Sequence, residues 1–119
     1  MRLLISGSRS ITDFDLAPYI PLDIDAIICG GAPGIDRLAE EYADTHRLSK
    51  MILRPQYRRF GRSAPLKRNE EMVVMADAIL IIWDGKSKGT RYTMEFARKT
   101  GHKMQVVTVS EEMTRFEDE

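Results

Sequence analysis

The sequence predicts a single α/β domain, a Rossmann-like parallel sheet of about five strands in the order 3-2-1-4-5 with helices on both faces. Short apolar runs alternate with amphipathic helical segments over 119 residues, 43% of them apolar, which is enough for one core and no second domain. Two Gly-rich turns, Gly30-Gly31-Ala32-Pro33-Gly34-Ile35-Asp36 and Asp84-Gly85-Lys86-Ser87-Lys88-Gly89-Thr90, each follow a strand-like run and open a helix-like one. Right-handed crossovers leave few topologies. The chosen order sets the first and fourth strands side by side at the switch point of the sheet.

Taken in order, Leu3-Leu4-Ile5 is a buried strand ended by the small residues of Ser6-Gly7-Ser8-Arg9-Ser10. Thr12 to Ile20 follows as a short helix, with Asp15 in its first turn and Pro18 and Pro21 interrupting it. Ala26-Ile27-Ile28-Cys29 is the second strand. After the glycines, Ile35, Leu38, Ala39, Tyr42, Ala43 and His46 keep the spacing of one helix face. Met51-Ile52-Leu53 is the third strand, closed by Arg54-Pro55, and Tyr57, Arg58, Arg59, Phe60 and Arg62 make a locally basic loop. A helix from Pro65 runs through Leu66, Asn69, Met72, Val73 and Ala76, before the wholly apolar and therefore central strand Ala78 to Trp83. Thr93, Phe96, Ala97 and Thr100 form the inner stripe of the last helix, which Gly101 stops ahead of a strand from Met104 to Val109. The folded unit then spans residues 1–109, and 110–119 is an acidic tail expected to fray.

Composition excludes several classes. With 18 Lys plus Arg against 18 Asp plus Glu there is no global field to favour nucleic acid, which is disfavoured as a partner unless the contact is local. No run is long enough to span a bilayer and no signal-peptide apolar region follows Met1-Arg2, so no membrane is expected and the cytoplasm is the default location. Cys29 is the lone cysteine, and with His46 and His102 it gives no ligand spacing for a metal. No cofactor is called for, and a homo-oligomer is left open.

Glycine lets a main chain approach a ligand without a Cβ in the way, and unpaired amides at a helix start favour phosphate. Gly30, Gly31 and Gly34 before one helix, and Gly85 and Gly89 before another, suit an anion pocket; the plainer alternative is a set of turns that need positive φ. The dinucleotide fingerprint fails because Ala32 stands where its second glycine belongs, and the Walker loop fails because Leu80 stands where its first glycine belongs. Acyl-transfer chemistry lacks its base. Arg9, Arg54 and Arg68 can reach the carboxyl edge as phosphate clamps, or lie solvated at strand ends. Asp36 suits a sugar hydroxyl, or simply the dipole of its helix. Trp83 can stack on a base, though its size and place fit closing the core better.

The ordered set Gly7-Ser8-Arg9, Gly30 to Asp36 with Ile35, Arg68-Asn69 with Met72, Ala76-Asp77, and Trp83-Asp84-Gly85 through Ser87, Gly89 and Thr90 resembles the SLOG superfamily. That group of Rossmann-like domains is named for the DNA-processing protein DprA (Smf) and the Lonely Guy phosphoribohydrolases, and the chain is most similar to its YspA-like, cpYpsA-related branch. The resemblance spans nearly the whole chain. It implies a pocket for a nucleotide or nucleotide-derived ligand, sensed or processed, and the expected ligand-binding residues are Gly7, Ser8, Arg9, Gly30, Gly31, Gly34, Ile35, Asp36, Arg54, Arg68, Asn69, Trp83, Asp84, Ser87, Gly89 and Thr90. Arg68 and Met72 fit the R-K-x-x-M element of the Lonely Guy enzymes, with Asn69 in place of Lys. Gly89-Thr90 fits their P-G-G-x-G-T-x-x-E element, but Thr93 stands where its glutamate belongs.

Three functions follow as expectations. The first is binding of a nucleotide-derived small molecule at the turns. The second is N-glycosidic, phosphoribohydrolase-like cleavage of a nucleoside monophosphate, for which Arg68, Glu71 and Asp84 are the candidate catalytic groups, and Asp36 a further substitute carboxylate. The third is DprA-like single-stranded DNA binding through the basic and aromatic stretch from Tyr57 to Arg62.

Overall fold

The computed structural model describes residues 1–110. The chain runs β1 (Arg2–Gly7), a 3-10 turn (Ala17–Tyr19), β2 (Ala26–Cys29), α1 (Ile35–Thr45), β3 (Ser49–Ile52), α2 (Tyr57–Phe60), a second 3-10 turn (Gly61–Ser63), α3 (Ala64–Met75), β4 (Ala78–Trp83), α4 (Lys88–Lys99) and β5 (Lys103–Thr108). All strand pairs are parallel and the sheet order is β3-β2-β1-β4-β5. The fold class and strand order are those the sequence predicts. Apart from Ser110, the acidic tail lies outside the described residues.

Period-two alternation within the central strands divides the core in two. Leu3 and Ile5 of β1 and Leu80 and Ile82 of β4 face α1, where they meet Ile35, Ala39 and Ala43. Leu4 of β1 and Ile79 and Ile81 of β4 face α3 and α4, where they meet Met72, Val73, Met94 and Ala97. Each such side chain contributes about 1.5–3 kcal/mol by leaving water, so the sheet is held from both faces. Among the described residues no helix is long and apolar enough to cross a membrane.

Three expectations need correcting. Thr12 to Ile20 forms no α-helix; it is irregular cover with one 3-10 turn, and together with its flanks it buries Ile11, Leu16, Ile20 and Ile24 on the α1 face. The Asp15 carboxylate accepts from the Ala17 amide at 3.1 Å and starts only a three-residue turn. Pro18 then occupies that turn and Pro21 cannot continue it. The stretch from Tyr57 to Ser63 is helical rather than a loop, because it leads straight into the first turn of α3. Thr100 is exposed at the cap of α4 instead of belonging to its inner stripe, where Thr90, Thr93, Met94 and Ala97 are the buried positions.

Candidate functional site

At the carboxyl edge of the sheet lies an open crevice of about 380 Å³. Gly7 at the end of β1 and Arg9 in the turn after it reach the crevice, as do Ala32 in the turn after β2 with Asp36 at the start of α1, and Asp84 and Ser87 in the turn after β4 with Gly89 and Thr90 at the start of α4. One stripe of α3, Pro65, Arg68, Asn69 and Met72, closes its side at i, i+3, i+4, i+7 spacing, together with Leu66.

The first glycine turn is tightly built. Gly34 has φ +80°, and a Cβ there would lie 2.5 Å from the backbone oxygens of both Ser8 and Arg9. Only glycine lets the turns after β1 and β2 cross this closely. The Ile35 amide donates to the Ser8 carbonyl at 3.4 Å, which locks the crossing. Within the first turn of α1, the Asp36 carboxylate is only 6% exposed and accepts from the Ala32 amide at 3.2 Å. Burial pushes its pKa above the ordinary carboxylate value, outweighing the Ala32 amide and the positive charge of Arg68. The N-terminus of α1 therefore already carries an acidic side chain of its own.

Arg68 faces Asp36 across Gly30. A Cβ on Gly30 would lie 2.6 Å from Arg68 Nη1 and 2.9 Å from Asp36 Oδ2, so the bare glycine makes room for both groups. The guanidinium is 8% exposed and fixed in place: Nε donates to Asn69 Oδ1 at 2.8 Å, and Nη1 donates to the carbonyls of Gly30 at 2.8 Å and Leu53 at 3.3 Å. Burial lowers its pKa from the ordinary arginine value, although Asp36 attracts it from beyond ion-pair distance. Among the described residues Nη2 meets no acceptor and exposed Arg9 makes no ion pair.

The second glycine turn is organised differently. Asp84 Oδ1 accepts from the amides of Lys86 and Ser87, each at 2.8 Å, and from Ser87 Oγ at 3.0 Å, while Oδ2 accepts from Ser10 Oγ at 3.0 Å. Burial alone would raise the pKa of this carboxyl, but those four donors outweigh it and hold the group well below the carboxylate range. Ser8 Oγ accepts from the Asp84 amide and from Ser87 Oγ, both at 2.9 Å. Ser87 is the N-cap residue of α4 but makes no side-chain cap bond to the helix, so the first amides of α4 are open where Gly89 and Thr90 line the crevice.

The structure thus brings together Gly7, Arg9, Asp36, Arg68, Asn69, Asp84, Ser87, Gly89 and Thr90. Other expected contacts fall elsewhere. Ile35 is fully buried in the core with its amide occupied, and Ser8 is a buried stitch between two turns. Gly30 lies behind Arg68, and Gly31 and Gly34 line a separate hollow of about 570 Å³ against α1. Arg54 is exposed and donates to the Gly31 carbonyl at 3.2 Å, outside the crevice. Trp83 packs on the α3 and α4 core, and its indole N–H donates to the Ser87 carbonyl at 3.1 Å, bracing the second turn. Glu71 lies on another face of α3, over a groove with Val74 and Phe96. As catalytic candidates, Glu71 is away from the crevice and Asp84 is committed to its own loop. Buried Cys29 has its thiol pushed up to about 12 by desolvation and stays an inert core residue.

Sequence reasoning missed Ser6, Ser10, Ala32, Pro65, Leu66 and Met72 as lining residues. The α3 stripe was findable from its spacing. Ser10 carried no local signal, because its partner Asp84 is 74 residues away. Among the described residues no group of three or more His, Cys, Asp or Glu is placed to hold a metal ion.

The chain is 36% identical over 114 residues to the Gene 61 protein of Mycobacterium phage D29, an alignment covering 84% of this chain and 90% of that protein. No protein-family model and no solved structure matches. The chain belongs to the family of the phage Gene 61 protein.

Proposed function

We propose that this member of the phage Gene 61 family binds a nucleotide or nucleotide-derived small molecule in the crevice at the carboxyl edge of its sheet. Arg68 carries the proposal. A guanidinium held at 8% exposure by Asn69 and Gly30, with no acceptor for Nη2 and no ion pair among the described residues, leaves a positive charge for an anionic ligand to complete. Arg9 and the open amides of α4 add donors on the opposite wall, as a phosphate requires. Asp36, an acceptor between them, suits the hydroxyls of a sugar rather than the phosphate. The resemblance to SLOG domains supports the same ligand class.

Holding is favoured over cutting. Thr93, at the position of the Lonely Guy glutamate, is fully buried and bonds the Gly89 carbonyl at 3.1 Å, leaving no carboxylate there. Thermal denaturation against the four ribonucleoside 5′-monophosphates tests the proposal. A ligand at a hundred times its dissociation constant adds about 2.7 kcal/mol, and Arg68→Ala removes that gain. The absence of stabilisation by any member overturns it.

A further inference from the structure

We infer that Ser6, Asn69 and Thr90 close the inner end of the crevice around a terminal phosphate, so that the ligand is a phosphate monoester and not a phosphodiester. This rests on the crevice being a nucleotide site and specifies how its phosphate is substituted. Among the described residues, seven that are polar or charged are more than nine-tenths buried. Ser8, Asp36 and Thr93 bond to neighbouring turns or to their own helix. The other four, Ser6, Arg68, Asn69 and Thr90, each keep a donor that meets no acceptor among the described residues, and all four line the crevice. For Asn69 the free group is fixed by chemistry. Arg68 Nε can only donate, so the atom it meets at 2.8 Å is the carbonyl oxygen of Asn69, and the amide Nδ2 is left over. No described polar side-chain atom is both sealed from solvent and unpartnered, so these free groups open into the crevice that their residues line. Buried polar side chains normally find partners within the chain. Four that do not, gathered at one crevice, are fitted to a ligand.

Sequence spacing explains the gathering. Ser6 lies two residues beyond Leu4 on β1, Asn69 four before Val73 on α3, and Thr90 four before Met94 on α4. Leu4, Val73 and Met94 belong to one core cluster, so each polar side chain is the next step along the same inward face. The core between the sheet, α3 and α4 thus ends at the carboxyl edge in polar groups from three elements, with Arg68 beside Asn69. A planar carboxylate offers two oxygens in one plane and cannot meet all three. A phosphate monoester is tetrahedral: it can turn one terminal oxygen to β1, one to α3 and one to α4, and its single ester bond to the mouth. In a diester the second ester oxygen takes one of those places and sets a substituent against a buried donor, which stays desolvated and unpaired. The open amides of α4 and the guanidinium of Arg68 also favour the second negative charge, which only the monoester bears near neutral pH.

Titration calorimetry on the full chain tests this by comparing each of the four ribonucleoside 5′-monophosphates with its methyl phosphate ester, which keeps the nucleoside and blocks one terminal oxygen. The monophosphate should bind at least about tenfold tighter than its ester, the factor that one charge-assisted hydrogen bond supplies. Ser6→Ala and Thr90→Val should each weaken the monophosphate by about fivefold or more. The melting temperature of the free variants should stay level or rise, because neither hydroxyl is bonded within the described chain. Asn69→Asp keeps an oxygen for Arg68 Nε but sets a second carboxylate oxygen against the phosphate, and should weaken binding about a hundredfold or more. An ester that binds as tightly as the monophosphate, hydroxyl variants that melt lower yet bind unchanged, or an Asn69→Asp chain of wild-type affinity would each overturn the inference and leave the crevice proposal standing. A wild-type chain that binds neither the monophosphates nor their esters overturns both.

Discussion

The turn after β2 and the turn after β4 each carry glycines and one aspartate and open a helix, yet their aspartates meet opposite electrostatic surroundings. Asp36 lies inside the first turn of α1, buried, and that burial raises its pKa, so the helix start already holds an acidic side chain whose charged form is disfavoured. Asp84 precedes α4, spends its carboxylate on loop amides and hydroxyls, and has its pKa lowered. The amides of α4 itself stay open toward the crevice. On the proposed function one turn meets a sugar's hydroxyls and the other an anion, a division of labour that their similar glycine content does not announce.

Substituting the glycines should break the comparison most strongly. Gly34→Ala puts a Cβ against two backbone oxygens at positive φ, and should cost about 3 kcal/mol or more in urea unfolding. Gly89→Ala meets nothing within 4 Å and sits in a helix, so the same change should instead be neutral or stabilise by up to about 1 kcal/mol. Its methyl would still stand at the crevice wall, so nucleotide affinity should fall while stability does not. Equal destabilisation by both substitutions would contradict the assignment.

Next in size is the loss of the loop-organising carboxylate. Asp84→Ala removes acceptors from two amides and two hydroxyls and should destabilise by about 1–2 kcal/mol at neutral pH, the range of a lost cap. The folded-state pKa of Asp84 is lowered, so its contribution is present above the ordinary carboxylate value of ~3.9 and is lost as pH falls below it. The difference between wild type and variant in thermal melts should therefore shrink in acid.

Asp36→Asn should go the other way, and by less. The folded pKa of Asp36 is raised, so its charged form opposes folding as pH rises through that value, whereas below ~3.9 the group is neutral in both states. The asparagine, which can still accept from the Ala32 amide, should be slightly more stable than wild type at neutral pH and equal to it in acid. A variant less stable than wild type at neutral pH would show that Asp36 is a stabilising ion.

Much of this architecture is legible in sequence because it depends on local pattern. The wholly apolar Ala78 to Trp83 could only be a strand covered on both faces, and with right-handed crossovers that placed β4 beside β1. The glycine turns and Arg68 were visible for the same reason. What was hidden depended on three-dimensional choice. Ser10 and Ser8 act on a turn more than 70 residues away. Arg54 and Arg68 look alike in sequence, and only burial of the α3 stripe separates the anchored guanidinium from the exposed one. The irregular cover from Ile11 to Ile24 escaped because its apolar residues reach the core around a single 3-10 turn rather than along a helix face.

The division between the two turns is tested most directly by titrating the 15N-labelled chain with a ribonucleoside 5′-monophosphate and following each backbone amide by NMR. Phosphate on the second turn should move the Gly89 and Thr90 amides most, with smaller changes at Ala32 and Asp36 from the sugar. Larger shifts across Gly31 to Ile35 than across Lys88 to Thr90, or no shifts at either turn, would contradict it.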